Sequence, residues 1–576
     1  MNRPKLSQRI ANSKLLFVYP LLLAAVPALH MAAENSHDID SRSTTIAVLG
    51  CVGLAAIIFA GLYCFLRNGQ KVATGTMWLL LLFFTFGRVF DLLWESFDWG
   101  QIRALLYPLY AVYGLLAIVG LAWLRRTKVS LQRFTSFAAL FAAIIFGISA
   151  RNFVHEYKHF RKDQRRIEAH RAEQAKEAAE TKKNSDRKPN AGNDSEANAE
   201  NSGVVQASFE TAVSPVARVS TAVSADELPD IYYIILDGYA REDILQEFFD
   251  YDNSGYLNSL RDRGFYVADA ACCNYPMTIL SLPSALNMRF LDAEFAKHGR
   301  WNTKYGPMID LTSNNRVAAE LKERGYRIVH FATNWCATQE SGYADVTYTL
   351  KPDFMQREFI GVFLRTTALR PLAPQAADAH ELMFDKLREV PDDPAPTFAF
   401  AHFILPHHPY VFDSEGNRRT DMSPELDFDR EEGEANPWHD KASYLAQLEY
   451  ASLRIREVCD EIIAKSDRPP IIILQSDHGS ASQRKPGIAA RTQPDLVRER
   501  TAILNAYYVP QDWQDELYPE ITPVNSFRFV FRHLFGEGYD PLEDRLYFSW
   551  YAWPFNAKEI TQQIRGAGTP ASAEEE

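Results

Sequence analysis

The stretch DIYYIILDG, residues 230–238, decides how the rest of the chain is read. Six β-prone apolar residues, Ile231 to Leu236, run unbroken and stop at an acid and a glycine. An apolar run of that length predicts a strand buried on both faces, as in a parallel sheet. A second stretch, PPIIILQSDHG (469–479), repeats the pattern and stops at Asp477, His478 and Gly479. Around these lie helical segments, SGYLNSLRDRG (254–264) and NNRVAAELKERGY (314–326), and strand-like ones, RIVHFA, TFAFAHFIL (397–405) and TAILNAYYV (501–509). SYLAQLEYASLRIREVCDEIIAKS (443–466) reads as a long amphipathic helix with Leu445, Leu448, Leu453, Ile455, Val458 and Ile462 on or near one side. The alternation predicts an α/β domain over residues 229–556, with a mostly parallel central sheet and helices on both faces. Such sheets bind ligands beyond the carboxyl ends of their strands.

The first 150 residues have a different composition. Apolar runs at roughly 15–33, 44–66, 73–94, 103–124 and 133–150 predict an anchor of about five transmembrane helices, since a bilayer core needs about 20 helical residues. The first run also has the pattern of a signal peptide, with a basic lead, an apolar core and small residues after it. Basic residues mark alternate loops: Arg3, Lys5, Arg9 and Lys14, then Arg67 and Lys71, then Arg125, Arg126, Lys128 and Arg133. The intervening loops, ENSHDIDS and ESFDWGQ, are acidic. By the positive-inside rule the C-terminal half lies outside, whether or not the first run is cleaved. Residues 151–228 read as a charged helical stalk and a disordered linker, and 557–576 as a disordered tail. A formal charge of −12 argues against a nucleic-acid partner.

Four elements carry candidate chemistry. Asp237 and Asp477 end two buried strands, and His478 follows the second. One acid after a strand is as often a helix cap; two in one chain, one followed by His-Gly, suit a divalent metal ion. In CCNYPMTILSLPSALN (272–287), Pro283 suits the first turn of a helix, with Ser281 or Leu282 as its cap. Thr278 then precedes the positive end of that helix, where phosphate or sulfate binds. Cys273 is the competing nucleophile in the same stretch. In HFILPHHPYVFD, His402 lies inside the strand and reads as a core histidine. His407 and His408 fall at its carboxyl end, where they are candidates to donate to phosphoryl oxygens or to a leaving group. Asn334 and Trp335, after RIVHFA, are candidates to line the crevice. Within the third apolar run, Arg88 and Asp91 lie one turn apart.

The order of these elements resembles the alkaline phosphatase/sulfatase superfamily. The anchor resembles its membrane-bound branch, the phosphoethanolamine transferases and the lipoteichoic acid synthase-type phosphoglycerol transferases. TILSLPS is similar to the nucleophile segment of the former, and HHPY to a His-Tyr-Pro-Phe type segment of the latter. The resemblance implies Thr278 as nucleophile and metal ligand, Asp237, Asp477 and His478 as further ligands, and His407, with His408 beside it, as substrate-contacting histidines. It implies one divalent ion, zinc or manganese first, then magnesium or calcium. The transferases have Glu where this chain has Asp237. The second Asp that sulfatases place there is replaced by Gly238. No C-x-P-S-R type motif surrounds Cys272 or Cys273, which argues against a formylglycine sulfatase. In an exported domain at least one of those cysteines is expected in a disulfide, with Cys336 as first candidate. The expected function is transfer of a phospho-headgroup between membrane lipid headgroups or envelope glycans, on the periplasmic side of a bacterial-type inner or plasma membrane. Two alternatives stand beside it: hydrolysis of phosphoric or sulfuric esters at the same site, and a non-catalytic envelope protein that keeps the fold.

Overall fold

The computed structural model describes residues 19–34, 41–96, 102–155, 158 and 228–565, apart from 303, 334, 351–357, 374–375, 394, 420–435, 486–492, 537 and 552. Most of the expected stalk and linker, 156–157 and 159–227, and Asn334 lie outside the described residues, while 151–155 continue the helix Gln132–His155. Among the described residues, four helices are long and apolar enough to cross a membrane: Ser43–Leu66, Gly69–Leu93, Ala104–Arg126 and Gln132–His155. The first apolar run forms a shorter helix, Tyr19–Glu34. Two of the basic loops meet at one end of the bundle, where Lys71 Nζ donates to the Thr127 carbonyl at 2.8 Å.

The C-terminal half is built on one seven-stranded sheet. Its strands are β1 (Ile231–Leu236), β2 (Tyr266–Val267), β3 (Arg327–Phe331), β4 (Val346–Tyr348), β5 (Thr397–Phe403), β6 (Ile471–Gln475) and β7 (Asn505–Tyr508). They lie in the order β2-β7-β6-β1-β5-β3-β4. The five strands from β6 to β4 are parallel, and β7 and β2 add an antiparallel edge. The unbroken apolar run of β1 has its expected cause, because alternate side chains enter two cores. Tyr232, Ile234 and Leu236 face one, and Ile231, Tyr233 and Ile235 face the other. The long helix Lys441–Lys465 covers the first face with Leu448, Ile455, Val458 and Ile462, while Leu453 of the expected stripe faces solvent. Helices Arg316–Glu323 and Pro523–Phe535 cover the second face.

Three expectations are corrected. The helix in the 272–287 stretch begins at Thr278, not at Pro283. Its cap is Met277, in extended conformation, and Pro283 lies inside the helix. All nine residues of Thr278–Leu286 are buried, so packing overrides the proline signal; the proline forfeits only the bond to the Ile279 carbonyl. Neither Cys272 nor Cys273 forms the expected disulfide. Cys272 packs into the first core and Cys273 into the second. Neighbours on an extended chain point to opposite sides, so the pair divides between two cores. Finally, the expected boundary at 556 falls inside a hairpin. β8 (Tyr547–Trp550) pairs antiparallel with β9 (Trp553–Glu559), and a short helix, Thr561–Arg565, follows.

The turn after β1 demands glycine for two reasons. Gly238 has φ +73°, and a Cβ there would lie 2.6 Å from Trp438 Cη2. Gly299 also has positive φ, +83°, but opens on empty space. We expect Gly299→Ala to cost about 1 kcal/mol of backbone strain, and Gly238→Ala about 1–3 kcal/mol more from overpacking. Thermal unfolding of the purified full chain checks this; equal midpoints for the two variants would show that the Trp438 approach does not matter.

Candidate active site

Strands β6, β1 and β5 are hydrogen-bonded neighbours that end at one edge, and each end carries part of the site. Asp237 follows β1. Its N–H donates to the Phe403 carbonyl at 2.9 Å, and its own carbonyl accepts from the His407 N–H at 3.0 Å. The exit of β5 is thereby pinned beside that of β1. After β6, Asp477 Oδ1 accepts from the N–H groups of Gly238 at 3.2 Å and His478 at 2.9 Å. Its Oδ2 is buried and accepts no hydrogen bond of normal geometry. Gly479 permits the next turn, since a Cβ there would lie 2.0 Å from the Glu499 carbonyl.

Thr278, at the start of its buried helix, places Oγ1 3.1 Å from His478 Nε2. The same nitrogen lies 3.4 Å from Asp237 Oδ1 and 3.5 Å from Asp477 Oδ2. One ligand atom from each of Asp237, Asp477 and His478 falls within 4.8 Å of the others. His478 Nδ1 faces the Gly479 carbonyl at 3.0 Å. A carbonyl only accepts, so Nδ1 carries the proton and Nε2 presents a lone pair to the pocket. Burial first, and the Arg500 charge second, hold His478 well below its ordinary pKa, so the ring is neutral. Two carboxylates, an imidazole lone pair and a hydroxyl, buried together around an orphaned oxygen, fit a divalent cation. These donors do not choose among zinc, manganese, magnesium and calcium.

His407 and His408 are both buried at the exit of β5. The His407 ring lies 6.2 Å from that of His478 and 4.9 Å from that of Trp438. Its Nδ1 donates to the His408 carbonyl at 2.6 Å, which turns Nε2 away from that loop. The His408 ring packs 4.1 Å from that of His407 and 5.8 Å from that of Trp438. Gln447 of the long helix holds this loop, donating to the carbonyls of Pro406 and His407 and accepting from Val411 N–H.

Sequence reasoning missed three neighbours. His402 is fully buried, as a core histidine would be, and burial lowers it to about 4. Yet its Nε2 lies 3.3 Å from Asp237 Oδ2, and its Nδ1 lies 3.0 Å from Thr338 Oγ1. It therefore backs the carboxylate, with Trp335 against its ring at 5.8 Å. Arg500 is buried beside His478. It donates to the carbonyls of Pro276 and Gly479 at 2.9 Å, and its Nη2 lies 3.2 Å from His478 Nε2. Trp438 closes the pocket, 5.6 Å beneath the Arg500 guanidinium. An arginine in the charged helix Pro494–Thr501 carries no sequence signal of burial. His402 did carry one, its parity with Phe398 and Phe400 one strand away from Asp237.

Burial first, and the Asp237 charge second, push Asp477 up to about 7. A raised carboxyl stabilises the fold in its protonated form, and that contribution is lost as pH climbs from the ordinary Asp range, about 4, through 7. A bound divalent ion reverses the repulsion. The rise in unfolding temperature on adding zinc or manganese to chelator-treated protein is expected to be larger at pH 8 than at pH 5.5. An equal or reversed pH effect would disconnect Asp477 from the ion.

Residues 229–523, just over half of the chain, match the family described as Sulfatase. No curated protein matches. Among solved structures, the C-terminal periplasmic domain of EptC from Escherichia coli is similar at 15% identity and a TM-score of 0.38, covering 57% of this chain and 91% of that one. The periplasmic domain of the phosphoethanolamine transferase EptC from Campylobacter jejuni is similar at 13% and 0.36, covering 54% and 90%. The putative sulfatase yidJ from Bacteroides fragilis is similar at 13% and 0.36, covering 56% and 82%. Likeness at that distance does not assign an activity. The family match is of another order: it takes in both strand-end aspartates and the helix of Thr278, and by it the chain belongs to the sulfatase family.

Proposed function

We propose that the chain is a metal-dependent transferase that moves a phospho-headgroup between membrane or cell-envelope substrates, with Thr278 as its nucleophile. The observation that carries this reading is Thr278 Oγ1 at 3.1 Å from the unprotonated nitrogen of His478, in one pocket with Asp237 and Asp477. The rival nucleophiles are turned elsewhere. Burial pushes the Cys272 and Cys273 thiols up, and Cys273 Sγ faces the Arg500 carbonyl at 3.7 Å. Four helices suited to a membrane favour a lipid donor over a soluble one. The basic loops gathered at one end of the bundle support an extracytoplasmic domain on a bacterial-type inner or plasma membrane.

A divalent ion held by Asp237, Asp477, His478 and the Thr278 hydroxyl would supply the positive charge that acidifies that hydroxyl and draws charge from phosphoryl oxygens. Thr278, deprotonated, attacks the donor phosphorus in line. The Oγ–P bond forms as the bond from phosphorus to the lipid oxygen breaks. His407 in its protonated form gives its proton to the departing oxygen. It then takes a proton from an acceptor hydroxyl, whose oxygen bonds to phosphorus as the Thr278 Oγ–P bond breaks. His408 holds the His407 ring through its carbonyl, and Trp438 keeps water from one side of the pair.

The test uses the full chain in phosphatidylethanolamine/phosphatidylglycerol vesicles labelled in the headgroup. We expect the tryptic peptide containing Thr278 to carry the headgroup phosphate. Thr278→Ala should lose at least about a thousandfold in turnover, while Cys273→Ser loses stability and keeps turnover. Undiminished turnover in Thr278→Ala would overturn the nucleophile. Free phospho-headgroup in water with no modified acceptor would make the enzyme a hydrolase at the same site.

A further inference from the structure

One segment of the external domain leaves it and returns. Between β4 and the helix Ala376–Leu387, which packs on the first core through Met383, Phe384 and Leu387, the helix Glu358–Arg365 and the turn after it pack among the membrane helices. Ile360 and Phe363 are buried in one apolar cluster with Ala24, Ala28, Ala47, Cys51, Ala55 and Leu80. Small residues on the membrane helices leave the space that these two side chains fill.

The approach is close at Gly87. A Cβ there would lie 2.2 Å from the Arg365 carbonyl and 2.6 Å from Thr366 Cα, so only glycine permits it. Six residues from the end of its span at Leu93, Gly87 lies about 9 Å below that end at 1.5 Å per residue. Polar bonds hold the turn. Ala368 N–H donates to the Phe83 carbonyl at 3.0 Å, and Tyr110 Oη donates to the Ala368 carbonyl at 2.7 Å. Arg370 Nη1 lies 2.7 Å from Asp91 Oδ1, with its guanidinium 4.2 Å over the Phe90 ring. The Arg370 side chain is 8% exposed. The sequence offered Arg88 as a neighbour for Asp91, but the cation that reaches Asp91 comes from the external domain, 279 residues further on.

Ionisable groups at membrane depth pair because an unpaired one is costly there, and removing one partner strands the other. Among the described residues, Glu358–Ala373 packs against the bundle, and a packed surface of this kind sets the orientation of the domain that carries it.

We infer that Glu358–Ala373 is a re-entrant dock, and that Asp91 and Arg370 are positioning residues that hold the catalytic pocket against a membrane-held donor. The inference rests on the proposed function for its substrate. Neither residue touches the reacting atoms, so their loss separates two substrates that share one site. The full chain is assayed on labelled phosphatidylethanolamine/phosphatidylglycerol vesicles and on bis(p-nitrophenyl) phosphate in detergent. Arg370→Ala and Asp91→Ala should each lower turnover of the vesicle donor at least tenfold and leave the soluble ester within twofold. Arg370→Lys, and the exchange Asp91→Arg with Arg370→Asp, should recover most of the vesicle rate. Where Arg370→Ala fails to fold, Tyr110→Phe, which removes only one hydroxyl, should show the same split in smaller measure. Equal losses on both substrates, or no loss on either, overturn the inference. Docking is also read without turnover, as the yield of a cross-link between Phe83→Cys and Ala368→Cys, which should fall when Arg370→Ala is added. If the chain turns over neither substrate, the proposed function fails while the cross-link still decides the dock; an undiminished yield rejects it.

Discussion

Asp237 and Asp477 cannot move apart, because the strands that deliver them are hydrogen-bonded neighbours. β1 and β6 run parallel in register, Ile235 opposite Gln475, at the roughly 4.8 Å spacing of any sheet. Two carboxylates brought together in a buried pocket must take up a proton or a cation. The surroundings favour the cation. His478 is held neutral with its lone pair inward, Thr278 offers a hydroxyl, and Asp477 keeps one oxygen without a hydrogen bond. The turns that follow each strand complete the confinement, since neither Gly238 nor Gly479 has room for a side chain.

Around that pocket, buried polar groups act on backbone rather than on substrate. Glu499 accepts from Ser480 Oγ and from the N–H groups of Ser482 and Gln483, and so grips the loop that leaves His478. Tyr444 bridges the turn after β1, donating to the Gly238 carbonyl and accepting from Ala240 N–H. Gln447, one turn further along the same helix, holds the His407 loop. One long helix thus sets two of the three strand ends relative to each other. Each of these bonds is made in a buried place, where an unmet partner is costly.

The membrane helices and the C-terminal domain touch beyond their covalent connection. Here they share a packed surface, since Ile360 and Phe363 bury against alanines of the bundle and Arg370 meets Asp91 inside it. On the proposed function, a pocket at the carboxyl edge of the sheet reaches its lipid donor only if that edge is held at the right height and angle. Small residues in the membrane helices and an arginine in a distant turn both become intelligible as parts of that placement.

Much was legible in advance for simple reasons. A strand buried on both faces has to be apolar throughout, so Ile231–Leu236 and Ile471–Leu474 announce a parallel sheet and place Asp237, Asp477 and His478 at the carboxyl ends of its strands. Membrane-length apolar runs are equally direct, because the bilayer sets their length. Other features depended on contacts far apart in the chain. Helix Thr278–Leu286 starts five residues before the proline that seemed to mark it, because burial on every side outweighs a local signal. The two adjacent cysteines divide between two cores instead of forming a disulfide, which the pleat of an extended chain decides. Arg500 looks like any surface arginine until tertiary packing sets it beside His478, and Asp91 looks like a partner for Arg88 until Arg370 arrives. By itself the sequence determined the sheet, its edge acids and the membrane helices, since each follows from local periodicity and solvent. Only the tertiary structure decided which charges meet, because electrostatic partners are chosen by distance in space, and separation along the chain carries no information about it.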